Sequence, residues 1–155
     1  MITTLNPDVM RQHYDRMNAY MTRSEGRGSS EYTPTTPSRW YHYSGARPVR
    51  VTTHDAVTDE QVGTEMMDHG QIAWFLQQQI SAELDVVEGK RDGDAAVAGT
   101  WAVVLDAALE MVVSDAQTGW SLACGGAVTP LVDRALTHAL HQDAPLYVQC
   151  EWEAF

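Results

Sequence analysis

From Leu146 to Glu153 the chain alternates strictly, with Leu146, Val148, Cys150 and Trp152 set against Tyr147, Gln149, Glu151 and Glu153. Successive side chains of a strand point to opposite faces, so this pattern is that of a half-buried strand. Such a strand needs neighbours for its backbone hydrogen bonds and a second layer over its apolar face. The chain must therefore build a sheet and something to lay on it. Its 155 residues are enough for one domain of that kind with a real core.

The covering layer is legible as helices. Asn6 and Pro7 form an N-cap followed by proline in the first turn, and Val9, Met10, Tyr14, Met17, Tyr20 and Met21 give one apolar stripe to about Thr22. Thr58 and Gln61 have capping-box spacing, which predicts a short helix to about Asp68, ended by Gly70. Ile72, Leu76, Ile80, Leu84 and Val87 recur at helical spacing, with Gly89 as the stop and residues 90–94 as a turn. Thr129 and Pro130 open another helix, whose apolar face carries Leu131, Ala135, Leu136, Ala139 and Leu140. The apolar stretch from Ala95 to Val113 admits two readings, because periodicity alone does not separate a buried helix from buried strands. Length and alanine content favour a helix. Residues 100–105 and 111–113 as strands, with a hairpin over 111–124, remain open.

Residues 39–43 and 48–53 are rich in aromatic and β-branched side chains and read as a hairpin around a turn at 44–47. Between the first helix and that hairpin, residues 23–38 hold glycine, serine and proline with almost nothing to bury. A connection of that length is expected to be a flexible or partner-ordered loop. The fold expected is a single α+β domain, four to five helices packed on a small, mainly antiparallel sheet that includes strand 146–153.

Charge is distributed unevenly. Of the net −11, residues 1–54 contribute +3, residues 55–115 contribute −11 and residues 116–155 contribute −3. In the middle segment only Lys90 and Arg91 offset the acids. A field of one sign repels nonspecific partners and attracts a basic one. The expected contact surface comprises Asp55, Asp59, Glu60, Glu65, Asp68, Glu83, Asp85, Glu88, Asp92, Asp94, Asp106 and Glu110. Arg23, Arg27, Arg39, Trp40 and Tyr41 are secondary contact candidates, since arginines interleaved with aromatics are also what stacks on single-stranded bases. Direct nucleic-acid binding by the whole domain runs against its charge. The surface acids equally serve as solvated helix faces that keep a protein in solution.

Signatures of catalysis are thin. His138 and His141 stand three apart on a helix, a spacing that places two metal ligands on one face, but both also suit the carbonyl end of that helix. Cys124 precedes two glycines and would need a histidine base nearby to act as a nucleophile. His54 beside Asp55, and Asp68 beside His69, are carboxylate–imidazole neighbours of the type used in acid–base work. No phosphate-binding glycine loop, metal-helix motif or nucleophile elbow occurs. Two cysteines, Cys124 and Cys150, are too few for a disulfide framework. Trp101 and Trp152 fall on apolar faces and are expected in the core, whereas Trp40 and Trp120 lie near turns. No run approaches the ~18 apolar residues of a membrane span. Residues 1–7 lack the basic flank and apolar stretch of a secretory signal, so the expected compartment is the cytoplasm, that of the host if a phage encodes the protein.

These features predict a non-enzymatic, cofactor-free interaction protein. Its acidic segment would face a basic protein partner, and the leading form is an inhibitor that puts carboxylates where a nucleic-acid-binding groove expects phosphates, as accessory proteins of phages and mobile elements do. One alternative is a homo-oligomer or virion subunit that sets its basic N-terminal region against an acidic neighbour. Another is a small hydrolase or metal enzyme using His138, His141 or Cys124.

Overall fold

The computed structural model describes residues 49–118, 122 and 129–152. The expected helix at 7–22, the loop at 23–38, the strand at 39–43, Trp120 and Cys124 lie outside the described residues, as do Arg23, Arg27, Arg39, Trp40 and Tyr41.

Two antiparallel strands, β1 (Val49–Asp55) and β2 (Gln61–Met67), open the described chain. The capping-box reading at Thr58 is thereby corrected: residues 61–67 are strand, not helix. The Thr58 hydroxyl does accept a backbone N–H, but that of Glu60 rather than Gln61, within a tight turn. Asp55 organises the same turn, its Oδ1 accepting the N–H groups of Val57 and Thr58 at 2.8 and 3.1 Å. Asp59 takes a positive φ of 61°, a conformation that aspartate tolerates better than most residues. With that turn closed, pairing to β1 outweighs local helix propensity.

The real capping box lies ten residues after Thr58, at the start of the next helix. Asp68 Oδ1 accepts the Gln71 N–H at 2.9 Å, and Gln71 Oε1 accepts the Asp68 N–H at 3.0 Å. It starts α1 (His69–Val87), so Gly70 sits in the first turn of a helix instead of ending one. Helix α1 ends in a Schellman motif, in which Gly89, at φ 79°, donates to Val86 O and Lys90 donates to Asp85 O. Helix α2 (Ala95–Thr118) follows, so the helical reading of the apolar stretch holds and the hairpin over 111–124 is overturned. Asp94 caps it, with Oδ1 accepting from Ala96 and Val97. Helix α3 (Thr129–His141) and β3 (Leu146–Glu151) complete the order. Three helices occur among the described residues, against the four to five expected.

The sheet order is β2-β1-β3, antiparallel throughout. The strand expected at 48–53 is present as β1, and its described partners are β2 and β3. Val49, Val51, Val148 and Met67 point to the helical layer and are buried, whereas Arg50, Met66, Gln149 and Glu151 face away and are exposed. The helices cover β1 and β3; of β2 only Met67 is buried. Ile72, Leu76, Ile80 and Leu84 from α1 meet Leu105, Leu109 and Val112 from α2 and Val132 and Leu136 from α3 in one core. Trp101 and Trp152 pack against that core but remain partly exposed. By length and composition, Ala95–Ala116 of α2 would suffice to cross a membrane, which corrects the expectation that nothing approached a span. Here its apolar side is the centre of the domain core.

Candidate functional site

The acids of the middle segment divide into three groups by burial. Asp68, Glu83 and Asp106 are buried, and so is Asp115. Asp55 and Asp85 are half-buried, and Asp59, Glu60, Glu65, Glu88, Asp92, Asp94 and Glu110 are exposed. The inward-facing acids do structural work. Asp68 is the helix cap. Asp115 Oδ2 accepts from His69 Nε2 at 2.6 Å and its Oδ1 accepts the Leu122 N–H at 2.7 Å. The side chains of this His69–Asp115 pair are 2% and 0% exposed. Trp152 leans on the His69 ring, centroids 5.3 Å apart. His69 thus pairs with a residue of α2, not with its sequence neighbour Asp68. His54 likewise stacks on Tyr147 of β3, centroids 5.0 Å apart.

Three turns converge at one end of the molecule. The β1–β2 turn meets the α3–β3 connection through Ala56 N–H and Pro145 O at 2.8 Å. Tyr147 OH donates to Asp59 Oδ1 at 2.9 Å, which raises the tyrosine's pKa. Gln142, in the same connection, lines a cleft shared with residues 91–94 of the α1–α2 turn. This end therefore collects Asp55, Asp59, Glu60, Glu88, Asp92, Asp94 and Asp143, with Lys90 and Arg91 as the cations beside them. Lys90 is held by Glu88 at 3.1 Å. Val57 and Val97, both exposed, stand among the acids.

The cleft has a volume of about 310 Å³. Helix α1 supplies Gln79, Ala82, Glu83 and Val86, spaced to share one face; α2 supplies Val97, Ala98 and Trp101; α3 supplies His138. His138 Nε2 donates to Glu83 Oε1 at 2.9 Å, and Gln79 Nε2 donates to the same oxygen at 2.8 Å. Trp101 stacks on the His138 ring, centroids 3.7 Å apart and 3° from parallel. Gly93 lets the turn lie against α1, because at its φ of 153° a Cβ would meet Val86 Cγ1 at 3.0 Å. Asp92 and Asp94 are thereby carried to the mouth of the cleft.

Comparison with protein-family models, with curated proteins and with solved structures finds no match for this chain. The cleft offers a carboxylate–imidazole pair, but among its described lining residues there is no hydroxyl, thiol or amine to serve as a nucleophile. His138 is committed to Glu83 and the Trp101 ring, and no group of three or more His, Cys, Asp or Glu side chains that could hold a metal is assembled among the described residues.

Cys150 is a free thiol, partly exposed as a residue, with its ionisation pushed far up by burial and by the nearby Asp133 carboxylate. Asp133 Oδ1 accepts the Cys150 N–H at 2.9 Å, and burial raises the acid's pKa against that hydrogen bond. The Glu83–His138–Trp101 arrangement and the His69–Asp115 pair both escape sequence reasoning. Their members lie 55 and 46 residues apart, and only the helix packing joins them.

Proposed function

We propose that this protein is a non-catalytic binding protein that docks a basic segment of a partner protein against the end formed by the three turns. The observation that carries the reading is the convergence of seven acids there, with Lys90 and Arg91 as the only cations on the same turns, around exposed Val57 and Val97. Apolar side chains ringed by charge are the usual composition of a protein contact surface. The partner this suits best is a nucleic-acid-binding protein, whose basic groove the carboxylates would fill in place of phosphates.

A labelled hexa-arginine peptide is a sufficient first probe. Its affinity should fall steeply from 50 to 300 mM salt, because exposed charges are screened over ~10 Å at 0.1 M. Asp59→Asn with Glu60→Gln should weaken it further. Binding that ignores salt, or no binding at 50 mM, would overturn the reading.

A further inference from the structure

Resting on that reading, we propose that the cleft between α1, α2 and α3 is a receptor site for one arginine side chain of the partner. Glu83 is the central observation. It is 8% exposed and lines the cleft, yet both of its hydrogen bonds, from His138 and from Gln79, fall on Oε1. Oε2 is left with no hydrogen bond among the described residues and is not sealed from solvent. That oxygen is the one free acceptor of a nearly buried carboxylate, open to the cleft and placed to take N–H donors from a cation that enters it.

The walls match the rest of an arginine. Val86, Val97 and the Trp101 ring give an apolar passage for the methylene stem. Asp92 and Asp94 at the mouth draw a cation in, and the planar guanidinium can offer paired N–H donors to Glu83 at the floor. Arg91 is the countercurrent feature. It lines the same mouth and forms no ion pair among the described residues, so it competes with the incoming guanidinium.

N-acetyl-arginine amide separates the site from the general acidity of this end. Titrated in the millimolar range and followed through the Trp101 indole N–H resonance, it should bind saturably, while the neutral N-acetyl-glutamine amide should not. Glu83→Gln and Asp92→Asn should each weaken it, Glu83→Gln by at least about fivefold. Arg91→Gln should tighten it by about two- to threefold. Asp59→Asn with Glu60→Gln, outside the cleft, should leave it unchanged. Thermal midpoints establish that each variant is folded. If hexa-arginine binds with salt sensitivity but the amide does not, the receptor site is overturned and the docking reading stands. Amide binding without hexa-arginine binding overturns the docking reading and leaves the cleft as a small-ligand site. Equal binding of arginine and glutamine amides, or an affinity indifferent to Glu83 and Arg91, also overturns the proposal.

Discussion

Trp101 and His138 lie ring on ring, centroids 3.7 Å apart and 3° from parallel, and so join α2 to α3 directly above Glu83 of α1. One imidazole therefore contributes to two contacts, a stack with the indole and a hydrogen bond to a nearly buried carboxylate. Three helices meet through a single side chain.

His138→Ala should destabilise the fold by about 2–4 kcal/mol, since it removes a stacked ring and strips one hydrogen bond from Glu83. Urea unfolding at neutral pH measures this. A double-mutant cycle with Glu83→Gln should give coupling of about 1 kcal/mol or more. Strict additivity of the two changes would show that the pair is merely adjacent.

The His69–Asp115 pair should be costlier to break. Asp115→Ala abandons His69 Nε2 and the Leu122 N–H together, both in the interior. A loss of about 3–5 kcal/mol follows. Asp115→Asn should lose less, because its amide oxygen can still accept from Leu122. An alanine variant within 1 kcal/mol of the parent, about the size of one hydrogen bond, would mean that this pair contributes little.

Gly93 tests how the cleft is closed. Alanine there would bring a Cβ to 3.0 Å from Val86 Cγ1, at a φ of 153° that side chains avoid. Gly93→Ala should cost about 1–3 kcal/mol and lift the α1–α2 turn. Arginine-amide binding should weaken with it, although Gly93 bears no charge. Unchanged binding in a destabilised variant would show that the turn's position does not matter to the cleft.

The strand at 146–151 and the helices at 69–87 and 129–141 were legible from their long apolar periods, although the Asp68 cap was hidden behind an apparent stop at Gly70, and the helix at 95–118 was favoured over strands only by its length and alanine content. Thr58 misled because the same threonine-to-glutamine spacing serves a hairpin turn once Asp55 and Asp59 bend the backbone. Only Met67 of β2 is buried, so that strand carries no apolar alternation by which to announce itself. The charge count located the acids but not their directions. Asp68 is turned inward as a helix cap, and Glu83 and Asp106 face inward through the rotation of their helices, which no segment total contains. Of the candidate site, His138 was singled out by its spacing to His141, whereas its partners Glu83 and Trp101 come from other helices.

Cys150 should be inert. Burial and Asp133 push its thiol far above the usual range, so almost no thiolate exists near neutrality. Iodoacetamide at pH 8 should leave Cys150 unmodified over hours in the folded protein and label it readily in 6 M guanidinium, as peptide mass spectrometry would show. Rapid labelling of Cys150 without denaturant would contradict this packing.

Asp133 supplies the pH test. Burial raises its pKa above the ordinary carboxyl value of 3.8, so the folded state holds this proton more tightly than the unfolded one. Stability from this group is then greatest below 3.8 and declines as pH rises through the folded value, with the full penalty present at neutrality. Asp133→Asn cannot ionise, and its amide oxygen can still accept the Cys150 N–H. Relative to the parent, the variant should therefore gain stability as pH rises from about 3 to 7, the response of every other carboxylate cancelling in the difference. Paired urea titrations at the two pH values give that difference directly. A relative stability that stays flat, or falls towards neutrality, would place Asp133 in a solvated site and remove its share in raising the Cys150 thiol.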